Sequence, residues 1–213
     1  MQKKKITIIN YGCGNILSLK RALQEIGFVS NVSNNEKKIL ESDFLILPGV
    51  GSFSKAMNLL HEHNLINTLR EYVIQRKKMI LGICLGMQIF LTKSYEMGEH
   101  EGLNFIDGKV ISLKKFTKKK MIKSPHTSWN ELYFNKKVKF ELLDSNLLKK
   151  DFYFVHSYLA ITKEKKNTYA FSKYYDVQIP AIIGKNNIIG CQFHPEKSGI
   201  NGLNFLKNTL NLI

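Results

Sequence analysis

Cys84 stands in the segment of this chain best suited to nucleophilic chemistry, Gly82-Ile83-Cys84-Leu85-Gly86. An apolar run that predicts a strand precedes it. Glycines two residues before and after the cysteine suit a sharp strand-to-helix turn in which larger side chains would collide. Such a turn projects the sulfur from a sheet edge and places it at a helix N-terminus, where backbone N–H groups favour the thiolate. The segment predicts a cysteine nucleophile; a buried structural cysteine is the alternative.

His194 and Glu196 lie far downstream, in the segment Gln192-Phe193-His194-Pro195-Glu196-Lys197. The proline disfavours helical backbone at His194, so we expect an extended stretch in which residues two apart point to the same side. The Glu196 carboxylate could then orient the imidazole while its other nitrogen takes the thiol proton. A His-Pro-Glu segment alone is more often an ordinary turn, but together with the cysteine turn it predicts a catalytic triad.

The third segment, Leu47-Pro48-Gly49-Val50-Gly51, follows a predicted strand. Acyl chemistry on a cysteine needs N–H donors that stabilise the tetrahedral oxyanion. We expect these donors to be the backbone N–H of Gly49 or Val50 and that of Leu85, the residue after the nucleophile. A simple strand-ending turn is the alternative for this segment.

The first half of the chain alternates apolar runs with amphipathic stretches, which favours a parallel sheet covered on both faces. Strands are predicted at residues 6–9, 28–32, 44–47 and 79–83. Helices are predicted at 16–26, 53–60 and 66–75, the first capped by Asn15 and ended by Gly27.

The second half predicts shorter strands, at 109–113, 138–142, 152–155, 168–171, 181–183 and 188–193, with a hairpin turn at Asn186-Asn187. A final helix is predicted at 202–212. No repeat or Pro/Ser-rich linker divides the chain. We therefore expect residues 1–213 to form a single α/β domain, with a mainly parallel central sheet flanked by helices and additional antiparallel strands.

The composition excludes several classes of protein. With 44% hydrophobic and 11% aromatic residues, the 213-residue chain predicts a packed globular protein. Its three cysteines are far apart and its six histidines fall into no metal-ligand spacing, so we expect no disulfide framework, metal site or cofactor. No apolar run approaches the roughly 20 residues of a membrane helix or forms a signal-peptide core, which predicts a cytoplasmic location without membrane contact.

The net charge of +15 raises nucleic acid as a partner. The lysines are spread along the chain, however, apart from one dense patch at 114–120, and that patch contains no nucleic-acid-binding motif. We interpret it as a solvated loop or edge, with an acidic partner or phosphorylated substrate as the alternative. A basic nucleic-acid-binding module would explain the charge but none of the three spaced motifs, so we expect no nucleic-acid partner.

Taken together, these segments resemble class I (triad) glutamine amidotransferases, and the resemblance runs from Ile6 to the C-terminus. Beyond the three motifs, it includes Tyr11-Gly12-Cys13-Gly14-Asn15, Pro125-His126-Thr127-Ser128-Trp129-Asn130 and Tyr153-Phe154-Val155-His156-Ser157-Tyr158. The cysteine turn and the His-Pro-Glu are shared across the family. The three further segments are similar to one branch of it, the glutaminase subunits of imidazole glycerol phosphate synthase, which act in histidine biosynthesis.

The resemblance implies a reaction and a set of binding residues. Cys84, His194 and Glu196 would hydrolyse glutamine to glutamate and ammonia. The residues expected to hold the glutamine backbone groups are Gly51, Gln88, Ser157 and Tyr158.

The resemblance also implies a heterodimer. Free ammonia would be protonated in neutral water, so it would pass through a channel to a partner cyclase with a (β/α)₈ barrel that makes imidazole glycerol phosphate. The residues expected at that interface are Asn15, Trp129, Tyr153 and Lys197. Core packing is the alternative for Trp129, and an ordinary solvated lysine for Lys197.

One departure from the family pattern leaves the acceptor open. The family usually has Met-Gly where this chain has Thr127-Ser128, in the region that meets the synthase partner. A paralogous pair that aminates a sugar for a surface polysaccharide is therefore an alternative. A stand-alone hydrolase of the same fold, such as a γ-glutamyl peptidase, is another, and it would be fully active without a partner.

Overall fold

The computed structural model describes residues 4–116, 122–136, 138, 145–175 and 177–212. Its strands are β1 (Ile6–Ile9), β2 (Ser30–Ser33), β3 (Phe44–Leu47), β4 (Met79–Ile83), β5 (Leu91–Ser94), β6 (His100–Glu101), β7 (Ile106–Ser112), β8 (His126–Phe134), β9 (Asp151–His156), β10 (Tyr158–Thr162), β11 (Thr168–Tyr174), β12 (Val177–Lys185) and β13 (Ile188–Cys191). Its α-helices are α1 (Ile16–Glu25), α2 (Glu36–Leu40), α3 (Phe53–Glu62), α4 (Leu65–Arg70), α5 (Leu85–Gln88), α6 (Leu113–Phe116) and α7 (Gly199–Leu210).

Within the described residues, a nine-stranded sheet has the order β2-β1-β3-β4-β13-β12-β11-β8-β9. The five strands from β2 to β13 are paired in parallel, and the pairs from β13 to β9 are antiparallel. Helices cover the parallel half of this sheet on both faces. The predicted α/β class, with a parallel sheet and additional antiparallel strands, is confirmed.

The inner strands β1, β3, β4 and β13 are buried on both faces, which explains why they are mostly apolar runs. The edge strand β2 is polar and partly exposed. Because side chains alternate along a strand, Phe44 and Ile46 of β3 pack on the side that carries α1 and α7. Leu45 and Leu47 pack on the opposite side, with α3 and α4. No helix within the described residues is long and apolar enough to cross a membrane.

A second sheet, of order β10-β7-β5-β6, lies beside the first. One residue, Ser157, separates β9 in the large sheet from β10 in the small one. The N–H of Leu113 donates to the Ser157 carbonyl at 2.8 Å, which ties the end of β7 to this junction. The junction places Ser157 and Tyr158 next to the end of β4, where Cys84 lies.

Several predicted elements have different ends in the structure. The strand predicted at 28–32 is Ser30–Ser33, because the N–H groups of Gly27 and Phe28 close α1 on the carbonyls of Gln24 and Leu23. Asn15 precedes α1, but its side chain makes no capping hydrogen bond. Leu113 begins a short helix instead of ending a strand.

Some observed elements have no apolar pattern in the sequence that would predict them. Other predicted features lie wholly or partly outside the described residues. The sequence predicts neither β8, whose residues are mostly polar and partly exposed, nor the short elements α2, β5 and β10. Of the strand predicted at 138–142, only Val138 is described. In the basic patch, Lys114 and Lys115 belong to α6, and residues 117–120 lie outside the described residues.

Candidate active site

Cys84 occupies the turn between β4 and α5, with backbone angles φ 55° and ψ −108°. This conformation is uncommon for a residue with a side chain and is found where the surrounding structure enforces it. The Cys84 N–H donates to the Cys191 carbonyl at 2.7 Å, so the adjacent strand β13 holds the turn in place. The backbone is therefore strained at Cys84, the residue predicted to be the nucleophile.

The two glycines around Cys84 are required by close backbone packing. A Cβ at Gly82 would lie 2.6 Å from the carbonyl oxygen of Gly86, and a Cβ at Gly86 would overlap the carbonyl oxygen of Leu47. Gly49 packs against the same turn, since a Cβ there would lie 2.6 Å from the Gly86 nitrogen. The loop after β3 thus sits directly on the cysteine turn, as the oxyanion prediction requires.

His194 and Glu196 form a buried hydrogen-bonded pair next to Cys84. The Nδ1 of His194 lies 2.9 Å from Oε1 of Glu196, and the two side chains are 4% and 3% exposed. The backbone of His194 is extended, as predicted, but residues 195–197 form a 3-10 turn. The expectation of a fully extended segment is therefore wrong: the tight turn after the proline brings the carboxylate back to the imidazole.

Hydrogen bonds to neighbouring strands fix this turn. The His194 N–H donates to the Tyr153 carbonyl at 2.9 Å, and the Ser198 hydroxyl donates to the His194 carbonyl at 2.7 Å. The Tyr153 N–H in turn donates to the Ser198 hydroxyl at 3.0 Å. The base is thus positioned by β9 as well as by its own segment.

The charge on His194 is set by competing effects. Burial alone would lower the pKa of His194, but hydrogen bonds and charge interactions with Cys84 and Glu196 outweigh it and raise the pKa from 6.5 to about 10. An imidazolium is stabilised when it is held between a sulfur and a carboxylate. Burial raises the pKa of the Cys13 and Cys191 thiols, which have no such base beside them. Cys84 is therefore the thiol placed to react.

A cleft of about 370 Å³ opens over Cys84 and His194. It brings together most of the predicted site residues, since its lining comprises Val50, Gly51, Cys84, Leu85, Gln88, Glu96, Pro125, Val155, His156, Ser157, Tyr158 and His194. Two predicted residues do not line the cleft: Glu196 is hydrogen-bonded to His194, and Gly49 packs against Leu85 and Gly86. Gly51 has φ 100°, a backbone conformation that favours glycine.

Two polar residues of the site are missing from the sequence prediction. Gln192 donates from Nε2 to the sulfur of Cys84 at 3.6 Å and accepts from Gln88 Nε2 at 2.9 Å. Glu96 lines the cleft, and its Oε2 accepts a 2.7 Å hydrogen bond from the N–H of Phe53, at the start of α3. Gln192 lies two residues before the base, which is a usable signal, but nothing in the sequence around Glu96 marks it.

The residues predicted to meet a partner are all at least partly exposed. Trp129 of β8 is 53% exposed, and its ring lies 5.8 Å from that of Tyr153, its register partner on β9. Lys197 is exposed on the turn that follows His194, and Asn15 is half-buried before α1. Core packing is thus excluded for Trp129, whose exposed ring contacts the half-buried ring of Tyr153.

Sequence comparisons agree with this geometry. The family model described as glutamine amidotransferase class-I matches residues 7–212. The chain is 43% identical over 208 residues to the imidazole glycerol phosphate synthase subunit HisH 1 of Campylobacter jejuni strain RM1221, covering 97% of this chain and 100% of that protein. It is 44% identical over 206 residues to the HisH subunit of Lactococcus lactis strain IL1403, covering 96% of each.

Solved structures share the fold at low sequence identity. A putative GMP synthase subunit from Thermoplasma acidophilum has a TM-score of 0.71 at 17% identity, covering 100% of this chain and 94% of that one. The structure of PurLQS from Thermotoga maritima has a TM-score of 0.71 at 18% identity, covering 99% of each chain. These likenesses establish the architecture alone.

The interactions of His194 with Cys84 and Glu196 predict that the free energy of unfolding depends on pH. A folded-state pKa raised from 6.5 to about 10 contributes stability that is fully present below pH 6.5 and is lost as pH rises through about 10. The free energy of unfolding of wild type minus that of His194→Gln should therefore be constant below pH 6.5 and shrink towards pH 10, as measured by urea denaturation. His61→Gln, at an exposed position of α3, should keep the wild-type profile. If the difference between wild type and His194→Gln stayed constant or grew between pH 6.5 and pH 10, the raised pKa of His194 would be contradicted.

Proposed function

This chain belongs to the class I glutamine amidotransferases, and we propose that it is the glutaminase subunit of an imidazole glycerol phosphate synthase. It hydrolyses glutamine to glutamate and ammonia and delivers the ammonia to a partner subunit in histidine biosynthesis. The observation that carries this proposal is the buried Cys84–His194–Glu196 arrangement facing a cleft that fits an amino acid. Relatives named HisH, more than 40% identical over nearly the whole chain, support the choice of pathway.

In the reaction, the Cys84 thiolate attacks the side-chain amide carbon of glutamine and His194 holds the proton. The tetrahedral intermediate collapses when the C–N bond breaks and His194 protonates the departing ammonia. Water, deprotonated by His194, then hydrolyses the γ-glutamyl thioester and regenerates the thiol. Glu196 orients the imidazole and stabilises its charge, because the 2.9 Å hydrogen bond fixes Nδ1.

The oxyanion is stabilised by backbone N–H groups of Gly49 or Val50 and of Leu85. The close packing of Gly49 on the cysteine turn supports this role, because it brings both backbone segments to the same side of the sulfur. Val50 is 44% exposed at the mouth of the cleft, where it can contact a bound partner as well as the substrate. Such preorganised donors account for a large part of the rate in acyl transfer.

Glutamine is held by Gly51, Gln88, Ser157 and Tyr158, with its α-ammonium group at Glu96. The Phe53 N–H fixes Oε2 of Glu96 at 2.7 Å, so the carboxylate presents Oε1 to the cleft. Gln88 acts by positioning: its Nε2 donates to the Tyr158 carbonyl at 3.0 Å and to Gln192. This arrangement orders the segment that faces the substrate before the substrate binds.

The partner is a cyclase subunit with a (β/α)₈ barrel, which forms a heterodimer with this chain through Asn15, Trp129, Tyr153 and Lys197. The exposed Trp129, packed on the half-buried Tyr153, supports this proposal, since aromatic residues are enriched at interfaces. The Tyr153 carbonyl also accepts a hydrogen bond from the N–H of His194. A partner that contacts Tyr153 therefore touches a residue bonded directly to the catalytic base. The family match over 7–212 supports a single glutamine amidotransferase domain over residues 1–213.

The Cys84→Ala variant separates glutamine hydrolysis from ammonia use. In complex with the cyclase of the same organism, it should lose glutamine-dependent formation of imidazole glycerol phosphate by at least a thousandfold, because the nucleophile is absent. Product formation from added ammonia should stay within about twofold of wild type. Cys13→Ala, at another buried cysteine, is the matched control and should keep glutamine-dependent activity.

Two results would contradict the proposed function. If Cys84→Ala still formed product from glutamine, Cys84 could not be the nucleophile. A wild-type complex that hydrolyses glutamine yet forms no imidazole glycerol phosphate would point to another acceptor, such as the sugar of a surface polysaccharide; the Thr127-Ser128 departure motivates testing that acceptor.

Glu96→Gln tests the site of the α-ammonium group. Loss of the charge should raise the KM for glutamine about 10- to 100-fold, since a charged hydrogen bond is lost, and change kcat by less than threefold. Steady-state glutaminase kinetics of the complex give both constants. Glu101→Gln, an exposed carboxylate a few residues away, should leave KM unchanged. An equal KM for Glu96→Gln and wild type would place the ammonium group elsewhere.

A further inference from the structure

A pair of buried histidines that the triad does not use lies behind the glutamine cleft. His126 opens β8 and His156 ends β9, and the two residues are register partners. The Nδ1 of His126 lies 2.9 Å from Nε2 of His156, and both side chains are buried. His156 lines the cleft, whereas His126 is one layer further from it.

Hydrogen bonds lead from this pair to the nucleophile. The Nδ1 of His156 donates to the Tyr158 carbonyl at 2.9 Å, and the same carbonyl accepts from Gln88 Nε2 at 3.0 Å. Gln88 Nε2 also donates to Gln192 Oε1 at 2.9 Å, and Gln192 Nε2 lies 3.6 Å from the Cys84 sulfur. A continuous relay thus joins His156 to Cys84 through one carbonyl and two side-chain amides.

Donor and acceptor requirements fix the direction of the relay. A carbonyl can only accept, so His156 carries its proton on Nδ1 and its Nε2 must accept from the Nδ1–H of His126. Burial lowers the pKa of His126, and burial together with the nearby His126 lowers the pKa of His156 to about 3. His156 is therefore neutral, and the Nδ1–H of His126 selects the tautomer that His156 needs in order to hold Tyr158.

The outer end of the pair contacts Asn130, whose Oδ1 lies 2.8 Å from His126 Nε2 and also accepts from the Ser128 hydroxyl. The Asn130 Nδ2 donates to the Lys173 carbonyl at 2.9 Å, which leaves Oδ1 facing His126, where it accepts when Nε2 carries a proton. The donation from Nδ1 of His126 to His156 is the same whether or not Nε2 is protonated. The inner links, from His126 to Cys84, therefore carry the relay.

We propose that His126 is a positioning residue for glutamine binding, which acts through His156 on the Tyr158 carbonyl and Gln88. Tyr158 begins β10, and its carbonyl accepts from both His156 Nδ1 and Gln88 Nε2. Without the His126 donor, His156 can adopt the other tautomer, with its proton on Nε2. The Tyr158 carbonyl then loses its hydrogen bond from His156 Nδ1. This inference rests on the proposed glutaminase activity and adds to it a residue that does not touch the substrate.

Two variants of equal size separate hydrogen bonding from packing. In His126→Asn, the side-chain Nδ2 takes the place of the Nδ1 donor; in His126→Leu, a methyl group stands there. Both leave the same space between the rings of Phe154 and Tyr174, which flank His126 at centroid distances of 5.1 and 4.0 Å. His126→Leu should raise the KM for glutamine about tenfold with kcat within threefold of wild type. His126→Asn should restore KM to within threefold.

Glutamate formation by the complex with its cyclase partner is the readout, so the result does not depend on which acceptor the partner uses. Tyr174→Leu removes a ring that packs on His126 without breaking the relay, and it should leave KM within twofold. If His126→Leu does not fold, as judged by circular dichroism, His126→Phe replaces it with the same expectation.

Three results would overturn the relay. They are a KM for the Leu or Phe variant equal to that of wild type, equal KM values for the Asn and Leu variants, and a Tyr174→Leu effect as large as that of His126→Leu. A wild-type complex that forms no glutamate at all would instead contradict the proposed function, so the two failures are distinguishable.

Discussion

The parallel pairing of β4 with β13 is the constraint on which the site depends. Gly82 pairs with Gly190 and Ile83 with Cys191, so two segments that are far apart in the chain end at the same edge of the sheet. The Cys84 N–H then donates to the Cys191 carbonyl, and the residues that follow each strand meet. Without this register, a nucleophile and its base on separate segments would have no reason to face each other.

Close packing and electrostatic interactions complete the site that this register brings together. The backbones of Leu47 and Gly86 can approach each other only because Gly86 has no Cβ, and this approach brings the loop after β3 against the cysteine turn. Burial of His194 and Glu196 strengthens their interaction, because the surrounding dielectric is low. Oε2 of Glu196 is buried with no hydrogen-bond partner in the described structure. The single strong contact at Oε1 thus carries the orientation of the base.

Sequence patterns predict the parts of the fold that are buried on both faces. The inner strands of the parallel half are mostly apolar runs, so hydrophobicity predicts them as buried strands. The strand β8 is different: it is polar, partly exposed and held by pairing with β9 and β11, which no local pattern reveals. Its contribution of His126 to the interior could not be predicted for the same reason.

The site shows a similar division. Cys84, His194 and the loop after β3 are marked by glycines and a proline whose backbone requirements can be inferred from residue type. Glu96 acts through a contact with the distant start of α3, and a carboxylate in isolation gives no sign of such a partner. The turn at Pro195 shows the limit of local inference: the two side chains meet as predicted, but through a 3-10 turn rather than an extended strand.

The reactive contact between Cys84 and His194 is tested most directly by covalent labelling with a diazoketone analogue of glutamine in the presence of the cyclase partner. The labelled residue is identified by peptide mass spectrometry. Loss of glutaminase activity should match modification of Cys84 alone, free glutamine should protect it, and His194→Gln should slow the labelling at least tenfold. Inactivation with Cys84 unmodified, or labelling at a rate indifferent to His194, would contradict the account.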